Sequence, residues 1–182
     1  PHPPGIGTRE HHVPVPENGA TVRVREFRPQ GVSTPLPALI YLHGGAWMQG
    51  SPETHWDITA GIAGLNQLVV LSVDYALAPE QPFPRALNET LAVARWAHDQ
   101  AAALGLRADA IAIGGDSAGG NLAAAATLEL RGTPQAPRAQ LLVYPATDFT
   151  LDRPSHRENA HGPLVTVASM PMVNAMYCPD AS

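Results

Sequence analysis

Polar and apolar residues alternate near the start of this chain, and further on the apolar ones gather into short runs. Arg9–Val15 and Thr21–Phe27 alternate, and Glu17-Asn18-Gly19 lies between them, so the pair reads as an antiparallel hairpin. Ala38–Leu42, Leu68–Asp74, Ala110–Ile113 and Gln140–Tyr144 are short, mainly apolar runs without alternation, as expected of strands buried on both faces of a parallel sheet. Asp57–Asn66, Arg85–Leu104 and Asn121–Leu130 carry helical spacing. Strands alternating with helices predict an α/β fold, with a mostly parallel central sheet and helices on both faces. Residues 1–8 begin Pro/Gly-rich and are expected to be a loose tail. Asp152–Pro163 reads as a polar loop, and Val165–Tyr177 as one helix interrupted at Pro171.

At 182 residues, 45% of them hydrophobic, the chain has the bulk for one domain with a real core. Its net charge of −5 argues against nucleic acid or an anionic membrane surface as a partner. The longest apolar run, Leu68–Val73, is far too short to span a bilayer. Cys178 is the sole cysteine, so no internal disulfide forms, and a reducing, cytoplasmic location is expected. Every basic residue is Arg, and Lys is absent. His11, His12, His55, His98, His156 and His161 fit no metal-ligand spacing, and no metal is expected.

Two short motifs carry chemistry. The first follows the apolar run Ala110–Ile113: Gly114-Gly115-Asp116-Ser117-Ala118-Gly119-Gly120, with a helical pattern immediately after it. Strand, Gly-flanked turn with a central Ser, then helix is the arrangement of a nucleophile elbow, Gly115-x-Ser117-x-Gly119. It holds the Ser hydroxyl above the sheet and leaves the Ala118 N–H at a helix N-terminus, where partial positive charge favours an oxyanion. Two other readings were weighed. Ser117 suits a plain helix N-cap. A Gly-rich turn can also cradle phosphate, but the spacing is not G-x-G-x-x-G, and without Lys there is no P-loop. The second motif closes the run Pro37–Leu42: His43-Gly44-Gly45-Ala46-Trp47.

Together with Asp74-Tyr75-Ala76-Leu77-Ala78-Pro79-Glu80, Pro82-Phe83-Pro84 and Tyr144-Pro145, these motifs resemble the hormone-sensitive-lipase-like branch of the α/β-hydrolase esterases, close to bacterial carboxylesterases and arylacetamide-deacetylase-type enzymes. The resemblance runs from about Val13 to Tyr177. It implies Ser117 as nucleophile and the N–H groups of Gly45, Ala46 and Ala118 as the oxyanion hole. His43 then shapes the oxyanion loop, with Gly44, Trp47, Gly115, Asp116 and Gly119 as supporting motif residues. Asp116 and Glu80 take structural roles, Trp47 and Tyr75 line the pocket, and Cys178 is an incidental thiol. The implied reaction is hydrolysis of small or medium acyl esters without a cofactor.

The family's triad order is Ser, then Asp or Glu, then His, with the last two on later loops. The resemblance therefore places acid and His beyond residue 182. The chain is expected to be part of an esterase domain, lacking the C-terminal strands and the N-terminal cap and nearly inactive alone, with residues 150–178 beginning a lid or pocket segment. A rival triad within the chain pairs Ser117 with Asp148 and either His156 or His161. Amide or formamide hydrolysis is a rival activity. A small-molecule binder that has lost its base is the rival from outside enzymology. Self-association is expected too, because Leu141–Tyr144 would form an uncovered sheet edge.

Overall fold

The computed structural model describes residues 5–162 and 166–179. Its centre is a six-stranded sheet in the order β1-β2-β4-β3-β5-β6. The strands are β1 (Ile6–Val15), β2 (Ala20–Pro29), β3 (Leu36–Leu42), β4 (Val69–Asp74), β5 (Leu106–Asp116) and β6 (Gln140–Val143). β2 pairs antiparallel with both β1 and β4, while β4, β3, β5 and β6 run parallel. The helices are α1 (Trp56–Asn66), α2 (Arg85–Asp99), α3 (Ala118–Glu129), α4 (Pro154–Glu158) and α5 (Met170–Tyr177), and a 3-10 turn at Val167–Ser169 leads into α5.

Side-chain alternation along the central strands feeds two cores. Ile40, Leu42, Leu71, Val73 and Ile113 face α2 and α3, packing with Leu91, Ala97, Leu122 and Ala126. Leu39, Tyr41, Val70 and Phe27 face α1, against Ala60 and Ala63. A strand covered on both sides has no polar face, which is why β3 and β4 read as mainly apolar runs without alternation.

Several boundaries differ from the sequence reading. The supposed loose tail is strand from Ile6, because Ile6, Gly7 and Thr8 pair with Pro29, Arg28 and Phe27, and Ile6 packs on the α1-side core. Pro1–Pro4 lie outside the described residues. α2 stops at Asp99 rather than Leu104, since the chain must turn at Gly105 (φ 61°) into β5, and Arg28 Nη2 holds the turn by donating to the Leu104 carbonyl at 2.6 Å. β5 starts at Leu106, four residues before its apolar run, because Leu106 pairs with Leu36; the exposed, ion-paired Arg107 and Asp109 lie in the register shift before Ile111 pairs with Ala38. The stretch read as polar loop contains α4, begun at Pro154. Pro171 does not interrupt a helix; it sits in the first turn of α5, where its missing N–H costs nothing. Pro163–Val165 and Asp180–Ser182 lie outside the described residues.

β6 is the uncovered sheet edge expected of Leu141–Tyr144: Leu141 is 41% and Leu142 39% exposed, and Tyr144 just beyond it 73%. Register distinguishes the two leucines. Leu142 pairs with Gly115, which pairs with Leu42 of the α2/α3-side core, whereas Leu141 pairs with Gly114 and so lies on the face that Tyr41 turns to α1.

An apolar edge with unpaired backbone groups templates pairing with a second chain. The 182-residue chain in isolation is expected to self-associate. Leu141→Lys, which puts a charge on the edge without entering the core under α3, should shift it toward monomer in light scattering. A monodisperse monomer of the wild-type chain would refute this.

Candidate active site

The site is built where β3 and β5 run side by side. Their register pairs Leu42 with Gly115, which sets the loop after β3 against the turn after β5. The contact is too close for side chains. A Cβ on Gly115 would strike the Leu42 carbonyl oxygen, and one on Gly119 would strike the Leu42 and His43 carbonyls. Glycine at both positions lets the first turn of α3 sit on the end of β3.

Between these glycines the chain folds sharply. Ser117 has φ 52° and ψ −117°, a conformation that L-residues rarely adopt. Its N–H donates to the Val143 carbonyl at 2.9 Å, and its carbonyl accepts from Asn121 (3.1 Å) and Ala146 (3.2 Å). The elbow is thereby stitched to the end of β6, and Asn121 Nδ2 adds a bond to the Ala146 carbonyl at 2.8 Å. The half-buried Ser117 side chain makes no capping bond to α3.

The loop after β3 is equally tight. Gly45 (φ 132°), Ala46 (φ 53°) and Trp47 (φ 58°) follow one another at positive φ, and the Gly45 carbonyl accepts from Met48 (3.0 Å) and Gln49 (3.1 Å). The N–H groups of Gly45, Ala46 and Ala118 find no acceptor among the described residues.

Beneath these amides lies a buried polar cluster. Asp116 Oδ1 accepts from Tyr41 Oη (2.8 Å) and from the Gly44 N–H (3.0 Å), and it lies 3.5 Å from His55 Nε2. Burial opposes ionisation of Asp116, but the bonds from His55, Tyr41 and Gly44 outweigh it and hold its carboxyl below the usual range. One carboxylate thus ties the residue before Ser117 to the loop after β3. His43 is fully buried and stacks on Tyr75 with ring centroids 4.2 Å apart. Its Nδ1 donates to the Gly44 carbonyl (2.9 Å), and its own carbonyl accepts from Tyr75 Oη (2.6 Å). Burial pushes the imidazole pKa down, so the ring is neutral at pH 7.

The remaining sequence candidates lie elsewhere. Asp148 bonds its own loop, accepting from the Thr150 N–H (2.9 Å), Thr150 Oγ1 (2.6 Å) and Arg153 (2.8 Å), which hold its carboxyl at about 2. His156 belongs to α4, and its Nδ1 is buried with no partner among the described residues. His161 is exposed. None of the three is hydrogen-bonded to Ser117 or to another of the three. Tyr75 and Trp47 are buried under the loop, each 2% exposed, rather than lining an open pocket. Glu80 makes no bond among the described residues; the buried Glu89 holds the Pro-rich loop instead, accepting from the Ala76 N–H and from Arg85, both at 2.6 Å. His55 and Tyr41 also belong to the site, and no motif marks them. Nothing in one sequence places a histidine twelve positions after His43 against the carboxylate of Asp116. Among the described residues no three His, Cys, Asp or Glu side chains gather as metal ligands would, and no helix is long and apolar enough to cross a membrane.

An ion-pair network anchors the far end of the loop. Glu53 pairs with Arg23 and Arg25, both at 2.8 Å, Arg23 reaches Asp74 at 2.8 Å and Glu10 at 3.0 Å, and Arg25 also meets Glu10.

These features belong to a known family. Residues 39–182 match the alpha/beta hydrolase fold family, and the chain is a member of it. The chain is 39% identical over 159 residues to carboxylesterase NlhH of Mycobacterium tuberculosis, an alignment covering 87% of this chain and 50% of the relative. It is 36% identical over 164 residues to an ethyl acetate hydrolase of Pseudomonas putida, covering 88% and 52%. A hyperthermophilic esterase from the archaeon Pyrobaculum calidifontis superposes with a TM-score of 0.86 at 36% identity, over 94% of this chain and 56% of that one. Carboxyl esterase 2 of the fungus Tuber melanosporum superposes at 0.90 with 29% identity, over 98% and 57%. The chain spans about half the length of the curated relatives it matches.

Two predictions follow from the geometry. The elbow conformation costs on the order of 1–3 kcal/mol, so Ser117→Gly should stabilise the fold by about 1 kcal/mol after the entropy of glycine is counted. Gly119→Ala should destabilise it by about 3 kcal/mol or more, since backbone has to move. Urea denaturation of the two variants reads both signs. The second prediction concerns acid. Hydrogen bonds from Arg23 hold the Glu53 carboxyl at about 2. A depressed folded value means that its contribution is complete above the unfolded value of about 4.3 and fades as pH falls toward 2. The side chain is half exposed, so the effect is small and screened. Glu53→Gln should therefore lower the melting midpoint slightly at neutral pH, with the difference from wild type vanishing near pH 2.

Proposed function

We propose that this chain carries the nucleophile and oxyanion hole of a serine carboxylester hydrolase. The observation that carries the reading is Ser117 at positive φ, with a side chain that makes no capping bond, beside the unpaired amides of Ala118, Gly45 and Ala46. In this reading Ser117 Oγ attacks the ester carbonyl carbon. The carbonyl oxygen takes up negative charge and is held by those three N–H groups. The Ser117 proton passes to a histidine base and then to the leaving alkoxide as the C–O bond breaks. Water repeats the sequence on the acyl-enzyme and releases the acid. The neutral, buried His43 is a scaffold for the loop rather than that base. The histidine and its acid are proposed to come from sequence after residue 182, in the order Ser, acid, His. No cofactor takes part. Small acyl esters are the proposed substrates, in keeping with the ethyl acetate hydrolase among the relatives. Residues 150–178 are proposed to form part of the wall over the acyl group.

The test uses the protein expressed from its complete reading frame, with p-nitrophenyl acetate as substrate. Ser117→Ala should lower kcat by about 10⁴–10⁶-fold. Asp148→Asn, His156→Ala and His161→Ala should each leave kcat/KM within a few-fold. Residues 1–182 alone should show little turnover. Losses in Asp148→Asn together with either histidine variant would transfer the triad to those residues, and hydrolysis indifferent to Ser117 would end the esterase reading.

A further inference from the structure

The loop that carries the Gly45 and Ala46 amides is not held by its own backbone alone. Gly45, Ala46 and Trp47 lie one after another at positive φ, and two of the three are not glycine. Such a run opens unless its surroundings hold it. The Trp47 side chain shows what does so. The indole is 2% exposed and lies flat against Tyr177, with centroids 4.3 Å apart and planes 8° from parallel. Phe149 closes on it at 5.7 Å, tilted by 56°. The indole Nε1 is buried with no acceptor among the described residues, so packing of the ring, not a hydrogen bond, sets its place.

Tyr177 is the last residue of α5, more than a hundred positions from Trp47 in the chain. The two are joined a second time through backbone. The Trp47 carbonyl accepts from the Ala78 N–H (2.9 Å), and the Tyr177 carbonyl accepts from the Phe83 N–H (2.8 Å). Ala78 and Phe83 belong to one Pro-rich loop, which Glu89 pins through the Ala76 N–H. Ring stack and hydrogen bonds therefore close a circuit from the loop after β3, through the Pro-rich loop, to α5 and back.

We propose that Tyr177 is a positioning residue for the oxyanion loop: its ring, stacked on Trp47, holds the Gly45–Trp47 turn at positive φ, so that α5 and the substrate-facing amides keep one geometry. Tyr177 acts through Trp47. Its hydroxyl is not required, and its aromatic plane is. The consequence for hydrolysis rests on the esterase reading, whereas the consequence for the loop does not.

The experiment compares Tyr177→Phe, which keeps the plane, with Tyr177→Leu, which keeps apolar bulk and loses the stack, at a temperature where circular dichroism shows both folded. Amide hydrogen exchange is read at Met48 and Gln49, bonded to the Gly45 carbonyl, and at Ala78, bonded to the Trp47 carbonyl. Tyr177→Leu should speed exchange there about tenfold or more while leaving β3 and β5 amides unchanged, and Tyr177→Phe should match wild type. In the protein from the complete reading frame, Tyr177→Leu should lower kcat by about 10–100-fold with KM within threefold, as misplaced oxyanion donors do, and Phe should restore it. Unchanged exchange at Met48, Gln49 and Ala78 in Tyr177→Leu overturns the proposal whatever the kinetics do. So does a loss shared by the Phe variant. Faster exchange with no Ser117-dependent hydrolysis in wild type upholds the positioning role and removes the esterase reading.

Discussion

The Leu42 carbonyl is approached by two Cα atoms that have no Cβ, and the rest of the site follows from that approach. With Gly115 and Gly119 seated on it, α3 begins directly above the end of β3. The residue between them is left to make the turn, which puts Ser117 at φ 52°. The same closeness brings Asp116 within reach of the Gly44 N–H, so the turn after β5 and the loop after β3 share a hydrogen bond instead of two independent anchors. A Cβ at either glycine would push the two loops apart.

Around this contact the molecule is layered by polarity. Under the amides sits a buried set of Tyr41, His43, Tyr75 and Asp116 with the partly buried His55 beside it, in which one carboxylate oxygen accepts two hydrogen bonds and lies 3.5 Å from His55 Nε2. Outside it, the Arg23 and Arg25 network fastens the far end of the loop to the hairpin of β1 and β2. On the third side the anchor is aromatic, through Trp47, Tyr177 and Phe149. Carboxylate, guanidinium and ring hold one loop of about a dozen residues by three kinds of force, each with a different response to acid, salt and temperature.

Much of this was legible in the chain. The runs at Ala38–Leu42 and Leu68–Asp74 marked central strands because both their faces are covered, and the glycine spacing around Ser117 marked the elbow because backbone contact leaves no room for side chains. What stayed hidden depends on partners distant in sequence. Ile6–Thr8 look like a tail until β2 offers them a ladder. Glu89 rather than Glu80 holds the Pro-rich loop, a choice made by burial in α2. Neither Tyr177 nor His55 carries any local mark of the loop it touches.

With no Lys in the chain, every cation in the anchoring network is a guanidinium. Carboxylates around Arg23, Glu53 first, push its pKa still higher, so this hub carries its charge in any solvent in which the chain is folded. The alkaline limit of the site is then set by phenols. Burial raises the pKa of Tyr41, Tyr75 and Tyr177. Unfolded chain ionises its tyrosines near pH 10 while the folded site keeps these three neutral, so their stabilisation is complete below about pH 10 and drains away above it. Base therefore removes the stabilisation that buried phenols give this site, and acid the stabilisation that its carboxylate gives, so one small site answers to both extremes of pH.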